Sequence, residues 1–176
     1  MASEDMATSN ERFIWATEFI KVQAADQILE IGCGTGIWAE LLAAKLSTGH
    51  LTAIDRSATM IQKAEKRNSR YVSQGLITCI NTSFADAALP QHHFDKVVAF
   101  NVSLFWKKPS EELKILRDIL SPSGKLYLFH QAPYDLTKDA AKPILENLKG
   151  IGFHTSDIQL QKTSATNVLV VVAKPS

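Results

Sequence analysis

Apolar positions along the chain alternate between a helical period and short uninterrupted runs. Residues 10–22 place Phe13, Ala16 and Ile20 on one stripe and Trp15, Phe19 and Val22 on another, which predicts a helix covered on more than one side. The nine residues before it are small and polar and are expected to be loose, with residues 10–22 as a covering helix. Gln27–Ile31 is a short apolar run that ends in glycines and reads as a buried strand. Helical spacing returns over Ile37–Leu46, and His50–Ile54 reads as a second strand. Ser57 can cap a helix running to about Asn68. Leu76–Asn81 is a third strand, followed by irregular chain containing Pro90, and Phe94–Asn101 is a fourth. Ser110 is positioned to cap a helix with Glu111 and Glu112 in its first turn, where acidic groups meet the positive end of the dipole. Ser121-Pro-Ser-Gly124 is expected to stop that helix. Then come a strand over Lys125–Gln131, a helix over about 137–149, and two strands near 153–162 and 167–174.

Strands that alternate with helices imply a parallel sheet covered on both faces. The last two strands are too close together for a crossover helix, so they are expected to form an antiparallel hairpin. The predicted fold is α/β: an open, doubly wound sheet of about seven strands, mostly parallel, within a single domain over 1–176.

Composition adds limits. The chain has 176 residues, 45% of them apolar and 21% charged, with a formal charge of +1. A chain of this length buries enough surface for a core without disulfides or structural metal. A neutral balance gives no sign of a nucleic-acid or membrane partner. Arg56, Lys63, Lys66, Arg67 and Arg70 form a basic stretch that reads as a solvated helix face. Cys33 and Cys79 lack CxxC spacing and fit a reducing compartment; with His92 and His93 read as solvated, no metal site is expected. The N-terminus lacks an apolar signal core and no run is long enough to span a bilayer, so a cytoplasmic protein is expected.

The punctuation points to chemistry. Gly32, Gly34 and Gly36 fall within five residues, between a predicted strand and a predicted helix, where doubly wound sheets bind nucleotides. A dinucleotide fingerprint needs glycine at position 37, which is Ile37. Glu30 at the end of the strand would repel a pyrophosphate and suits a cationic ligand. There is no G-x-S-x-G elbow and no phosphate-binding G-x-x-x-x-G-K-[ST] loop.

At this point the sequence resembles the class I S-adenosylmethionine-dependent methyltransferases. Leu29–Gly36 (LEIGCGTG) is similar to that family's first motif, and Ala53–Asp55 to its acidic second-strand motif. Ala88–Asn101 resembles the stretch leading through the fourth strand, and Leu120–Phe129 the loop and fifth strand. The resemblance implies a Rossmann-like sheet of order 3-2-1-4-5-7-6 and S-adenosylmethionine as cofactor. It implies cofactor contacts from Glu30, Gly32, Cys33, Gly34 and Gly36. Asp55 would hold the ribose hydroxyls, and Arg56 and Met60 would flank the adenine. Ser83 and Phe84 would meet the adenine edge, with Asp86 able to reach back. Asn101 would lie near the methionine part. Val102-Ser-Leu-Phe-Trp106 is not the Asn-Pro-Pro-aromatic signature of methyltransferases acting on adenine or glutamine nitrogens.

Trp106, His130 and Tyr134 lie at the carboxyl ends of strands four and five and are the candidates for the acceptor side. His130 is the weak candidate for proton removal, being poised near neutral pH. The expected function is methyl transfer by in-line displacement to an unidentified acceptor, favouring a small molecule. Association as a homodimer stays open, and a binding module that keeps the cofactor without turnover is the alternative.

Overall fold

The computed structural model describes the backbone of residues 2–106 and 111–176, with side chains from 10–106 and 113–176. Seven strands form one sheet: β1 (Gln27–Ile31), β2 (His50–Asp55), β3 (Ile77–Asn81), β4 (Phe94–Phe100), β5 (Leu120–Gln131), β6 (Phe153–Gln161) and β7 (Val168–Pro175). Their order is β3-β2-β1-β4-β5-β7-β6. Pairing is parallel from β3 through β5, and β7 runs antiparallel to both β5 and β6. The expected hairpin is therefore present, with β7 inserted between β5 and β6.

Six α-helices accompany the sheet: α1 (Ala2–Ile20), α2 (Ile37–Ala43), α3 (Ala58–Arg67), α4 (Ser69–Ser73), α5 (Glu111–Ile119) and α6 (Lys142–Gly150). Helix α1 starts well before residue 10, so the expected loose N-terminus is instead helical, and it ends at Ile20 rather than Val22. Its two aromatic stripes are both used. Phe13 stacks on Trp38 at 6.0 Å and meets Phe100 edge-on at 5.0 Å; Trp15 packs on Phe19 and Phe129. The Trp38 indole donates to Thr17 Oγ1, which itself bonds the Phe13 carbonyl, so the buried ring keeps its hydrogen bond. This is a packed helix.

Other boundaries differ for local reasons. Helix α2 ends at Ala43 rather than Leu46 because turns reverse the chain, with Ser47, Thr48 and Gly49 all donating to the Ala24 carbonyl. Ser57 does cap α3, accepting from the Met60 amide at 3.4 Å. Helix α4 follows through Asn68, a turn the apolar pattern did not announce because none of its residues is buried. The Ser110 cap lies outside the described residues.

Helix α5 stops at Ile119, as expected from Ser121–Gly124, but β5 already begins at Leu120 rather than at Lys125. Leu120 pairs with Phe94, Ser121 Oγ donates to Asp95 Oδ1, and the register then shifts before Lys96. Ser121–Gly124 therefore bulges out opposite Asp95, folded back so that a Cβ on Gly124 would stand 3.0 Å from the Ser121 amide nitrogen. The helix expected over 137–149 is split into a 3₁₀ turn, Lys138–Ala141, and α6.

Two layers of core flank the sheet. Leu29, Ile31, Val97, Ala99, Leu126 and Leu128 face one side with α5 and α6. Ile28, Val98, Tyr127 and Phe129 face the other with α1 and α2. The alternation follows the two-residue period of a strand. It leaves the carboxyl ends of β1, β2 and β4 open at one edge.

Candidate active site

The Gly32–Gly36 loop is built by backbone bonds. The amides of Gly32 and Cys33 donate to the Ile54 carbonyl at 2.9 and 3.0 Å, tying the loop to the end of β2. Gly32 has φ +73°, and a Cβ there would stand 2.8 Å from Val102 Cγ2. Gly36 has φ +77°, and a Cβ there would meet Asn68 Nδ2 at 2.6 Å and Ala64 at 2.9 Å. Asn68 is fully buried and donates to the carbonyls of both Gly36 and Ala64. Gly36 therefore lets α2 and α3 approach closely, whereas Gly32 keeps the cleft open.

Asp55 locks this loop to the next one. Its Oδ2 accepts the Gly34 amide and its Oδ1 the Ser57 amide, each at 2.9 Å. Each oxygen keeps further lone-pair capacity toward the cleft. Glu30 lies beneath the loop, paired in register with Ala53 and Val98 and only 3% exposed. Burial, then the neighbouring Asp55 carboxylate, pushes its carboxyl up to about 8, and its Oε2 has no hydrogen-bond partner. Cys33 turns its thiol away from the cleft, into a small cluster with Ala53, Ile61 and Ala64. Burial raises both thiols, Cys79 to about 11, which leaves them poor nucleophiles at neutral pH.

A cleft of about 590 Å³ opens at this edge. Of the residues expected from sequence, Gly32, Asp55, Arg56, Ser83, Phe84 and Asn101 line it. Glu30, Cys33, Gly34 and Gly36 support it from below or behind. Met60 sits in the first turn of α3, outside the lining. Ser83 Oγ donates to Asp86 Oδ2 at 2.6 Å, which sets the Asp86 carboxylate behind a cleft-lining residue. Phe84 lines the cleft from the core, where it is buried. Ile31, Ile54 and Phe100 also line it; as apolar residues at or next to strand ends they read only as core in the sequence. Thr82 and Val102 to Leu104 join them, and their only signal was adjacency to strand ends.

Asn101 follows the last residue of β4 in a left-handed conformation, φ +56°. Its Oδ1 accepts the Gln131 amide at 2.8 Å and faces His130 Nδ1 at 3.0 Å. The backbone donor identifies this atom as the amide oxygen, so His130 Nδ1 must carry the hydrogen and Nε2 the lone pair. Burial lowers the His130 pKa, favouring the neutral ring. Trp106 packs against that ring at 4.6 Å. The structure thus joins Trp106, His130 and Asn101. Tyr134 is 65% exposed and stands apart from them.

The family described as "Methyltransferase domain" matches residues 28–124, which carry the glycine loop, Asp55 and Asn101. The chain belongs to that family. It is an S-adenosylmethionine-dependent methyltransferase of class I. Over 99% of its length the methyltransferase is 27% identical to an uncharacterized methyltransferase, YdaC, of Bacillus subtilis, and covers 94% of that protein. It is 29% identical to a malonyl-[acyl-carrier protein] O-methyltransferase of Priestia megaterium over 63% of its length, spanning only 38% of that relative. Among solved structures, a SAM-dependent methyltransferase from Aquifex aeolicus shares the fold with TM-score 0.75 at 13% identity, covering 97% of this chain and 95% of that one. Magnesium protoporphyrin IX methyltransferase from Synechocystis, solved with bound SAM, gives TM-score 0.70 at 15% identity over 96% of this chain and 78% of its own.

The methyltransferase's own residues fit this cofactor. A sulfonium and an ammonium group suit a site whose buried carboxyl has an unpartnered oxygen, and Asp55 suits a vicinal diol. A Cβ on Gly32 would narrow the space the ligand needs. No helix among the described residues is long and apolar enough to cross a membrane.

Proposed function

We propose that the methyltransferase acts on a small molecule whose nucleophilic oxygen or nitrogen gives up a proton during transfer, with His130 receiving it. The observation that carries this reading is the Gln131–Asn101–His130 chain of hydrogen bonds, which leaves His130 Nε2 as a free base. When bound, S-adenosylmethionine supplies a methyl carbon on a positively charged sulfur. Asp55 accepts hydrogen bonds from the ribose hydroxyls, while Arg56 and the Ser83–Asp86 pair meet the adenine. Glu30 faces the positive charge from below the loop. Trp106 packs on the His130 ring at a 40° tilt and restricts its rotation. Most of the acceleration then comes from alignment, and the base contributes a further share. The chain's near-neutral charge favours a small acceptor over a nucleic acid.

The test is incubation of the purified protein with methyl-labelled S-adenosylmethionine and a cell extract, followed by separation of the products by size. Label in the small fraction is the expected result. Label in protease- or nuclease-sensitive material would replace the small acceptor by a macromolecule. Tight cofactor binding with no transfer from any extract would favour a binding module. With an acceptor in hand, His130→Gln is expected to slow transfer by about 100-fold and flatten the pH profile, and unchanged kcat would remove His130 from this role.

A further inference from the structure

Arg12, in the third turn of α1, is a cation with no anionic partner among the described residues. It is half-buried, and its guanidinium carbon lies 4.7 Å from the centroid of the Phe13 ring and 5.2 Å from that of Phe100. Its hydrogen-bond partner among the described residues is neutral: Nη1 donates to Gln131 Oε1 at 3.1 Å. Nε is buried without a partner. No carboxylate among the described residues pairs with it. The adjacent Glu11 is spent elsewhere, accepting both the amide and the hydroxyl of Ser164. Desolvation lowers the Arg12 pKa, the signature of a charge held away from water without compensation.

Stacking on two rings offsets part of that cost, but aromatic faces do not satisfy N–H donors. The position of the side chain suggests what would. Phe100 also lines the cofactor cleft. Gln131 is held by Asn101 through its amide, next to His130. Its side chain is fixed by Thr163 and the Thr166 carbonyl, so the acceptor of the Arg12 bond cannot easily swing away. Arg12 therefore stands on the α1 face of the sheet at its β4–β5 end, where Phe100 meets the cleft, with His130 on the opposite face of β5 and Asp55 and Ser83 at the far end of the cleft.

We propose that Arg12 is an anion-recognition residue, and that it binds a carboxylate or phosphate group carried by the methyl acceptor. A guanidinium takes such groups through paired, charge-assisted hydrogen bonds, and a fixed Gln131 pre-orients it for doing so. This rests on the methyl-transfer reading above, and it narrows the acceptor to a small organic acid or phosphate ester. The amino-acid tail of the cofactor carries the same chemistry and is the competing source.

Three probes separate the cases: S-adenosylhomocysteine, 5′-methylthioadenosine, which lacks the amino-acid tail, and inorganic phosphate added to the S-adenosylhomocysteine-loaded protein. Binding is measured by titration calorimetry with the wild-type full chain, Arg12→Gln and Arg12→Lys, after circular dichroism shows equal folding. The expected result is that both nucleosides bind all three proteins within about twofold. Phosphate binding to the loaded protein falls about tenfold or more in Arg12→Gln and partly returns in Arg12→Lys. Loss of S-adenosylhomocysteine affinity in Arg12→Gln, with methylthioadenosine unchanged, would assign the site to the cofactor tail and overturn the acceptor assignment. Phosphate that fails to bind the wild-type protein, or binds Arg12→Gln equally well, would overturn anion recognition altogether. Failure of both nucleosides to bind the wild-type protein would instead strike the underlying cofactor reading.

Discussion

Glu30→Gln isolates the buried carboxyl beneath the glycine loop. In the ligand-free protein this group is raised from an ordinary 4.5 to about 8, chiefly by burial and then by Asp55. Between those two values the folded state retains a proton that the unfolded state has released. Stability therefore falls as pH rises through that window and levels off above about 8. By pH 7 the accumulated loss is about 3 kcal/mol, from roughly 1.4 kcal/mol per pH unit. Gln keeps the shape and removes the titration. Urea midpoints measured from pH 5 to 9 are expected to be similar for the two proteins at pH 5. They should then diverge in favour of the variant by an amount that corresponds to about 6–12 °C in Tm. Parallel curves for wild type and variant would refute the argument, because they would mean that Glu30 titrates alike in both states. The same charge has an opposite role once a cation is bound. S-adenosylmethionine is expected to bind the wild-type protein more tightly as pH rises toward 8, with a flatter response in Glu30→Gln, as read by calorimetry.

Three further substitutions test the frame around it. Asp55→Ala removes two backbone bonds as well as the acceptor for the ribose, and is expected to weaken S-adenosylhomocysteine binding by about 100-fold with far-ultraviolet dichroism unchanged. Unchanged affinity would remove Asp55 from the ligand. Gly36→Ala combines a left-handed backbone with a Cβ pressed on Asn68 and Ala64, so a loss of about 2–4 kcal/mol in urea unfolding is expected; a neutral result would show that α2 and α3 can separate freely. Phe129 is fully buried between Trp15, Trp38 and Phe100. Phe129→Ala should cost about 3–5 kcal/mol by the same measure, and a cost below about 1 kcal/mol would contradict its place in the core.

Much of this methyltransferase is local in origin, and that part is legible in the sequence. Strand β1 ends where Gly32 begins because only glycine tolerates the positive φ and close approach needed there. Ser57 starts α3 because its hydroxyl satisfies a free amide. The short gap before β7 requires an antiparallel return. The glycine spacing and Glu30 distinguish a cationic nucleoside ligand from a dinucleotide. Tertiary structure decided what depends on residues distant in the chain. Strand β5 starts early, with Ser121–Gly124 bulged after Leu120, because Phe94 and Asp95 offer partners there. Thr82 and Phe100 line the cleft only because the strand order brings the ends of β3 and β4 to one edge. The His130 tautomer is fixed by Asn101, 29 positions away, and Arg12 reaches Gln131 across 119 positions. Hydrophobic period and turn chemistry act over a few residues and can be read from them. Burial of a charge and the direction of a hydrogen bond depend on what the completed fold places alongside.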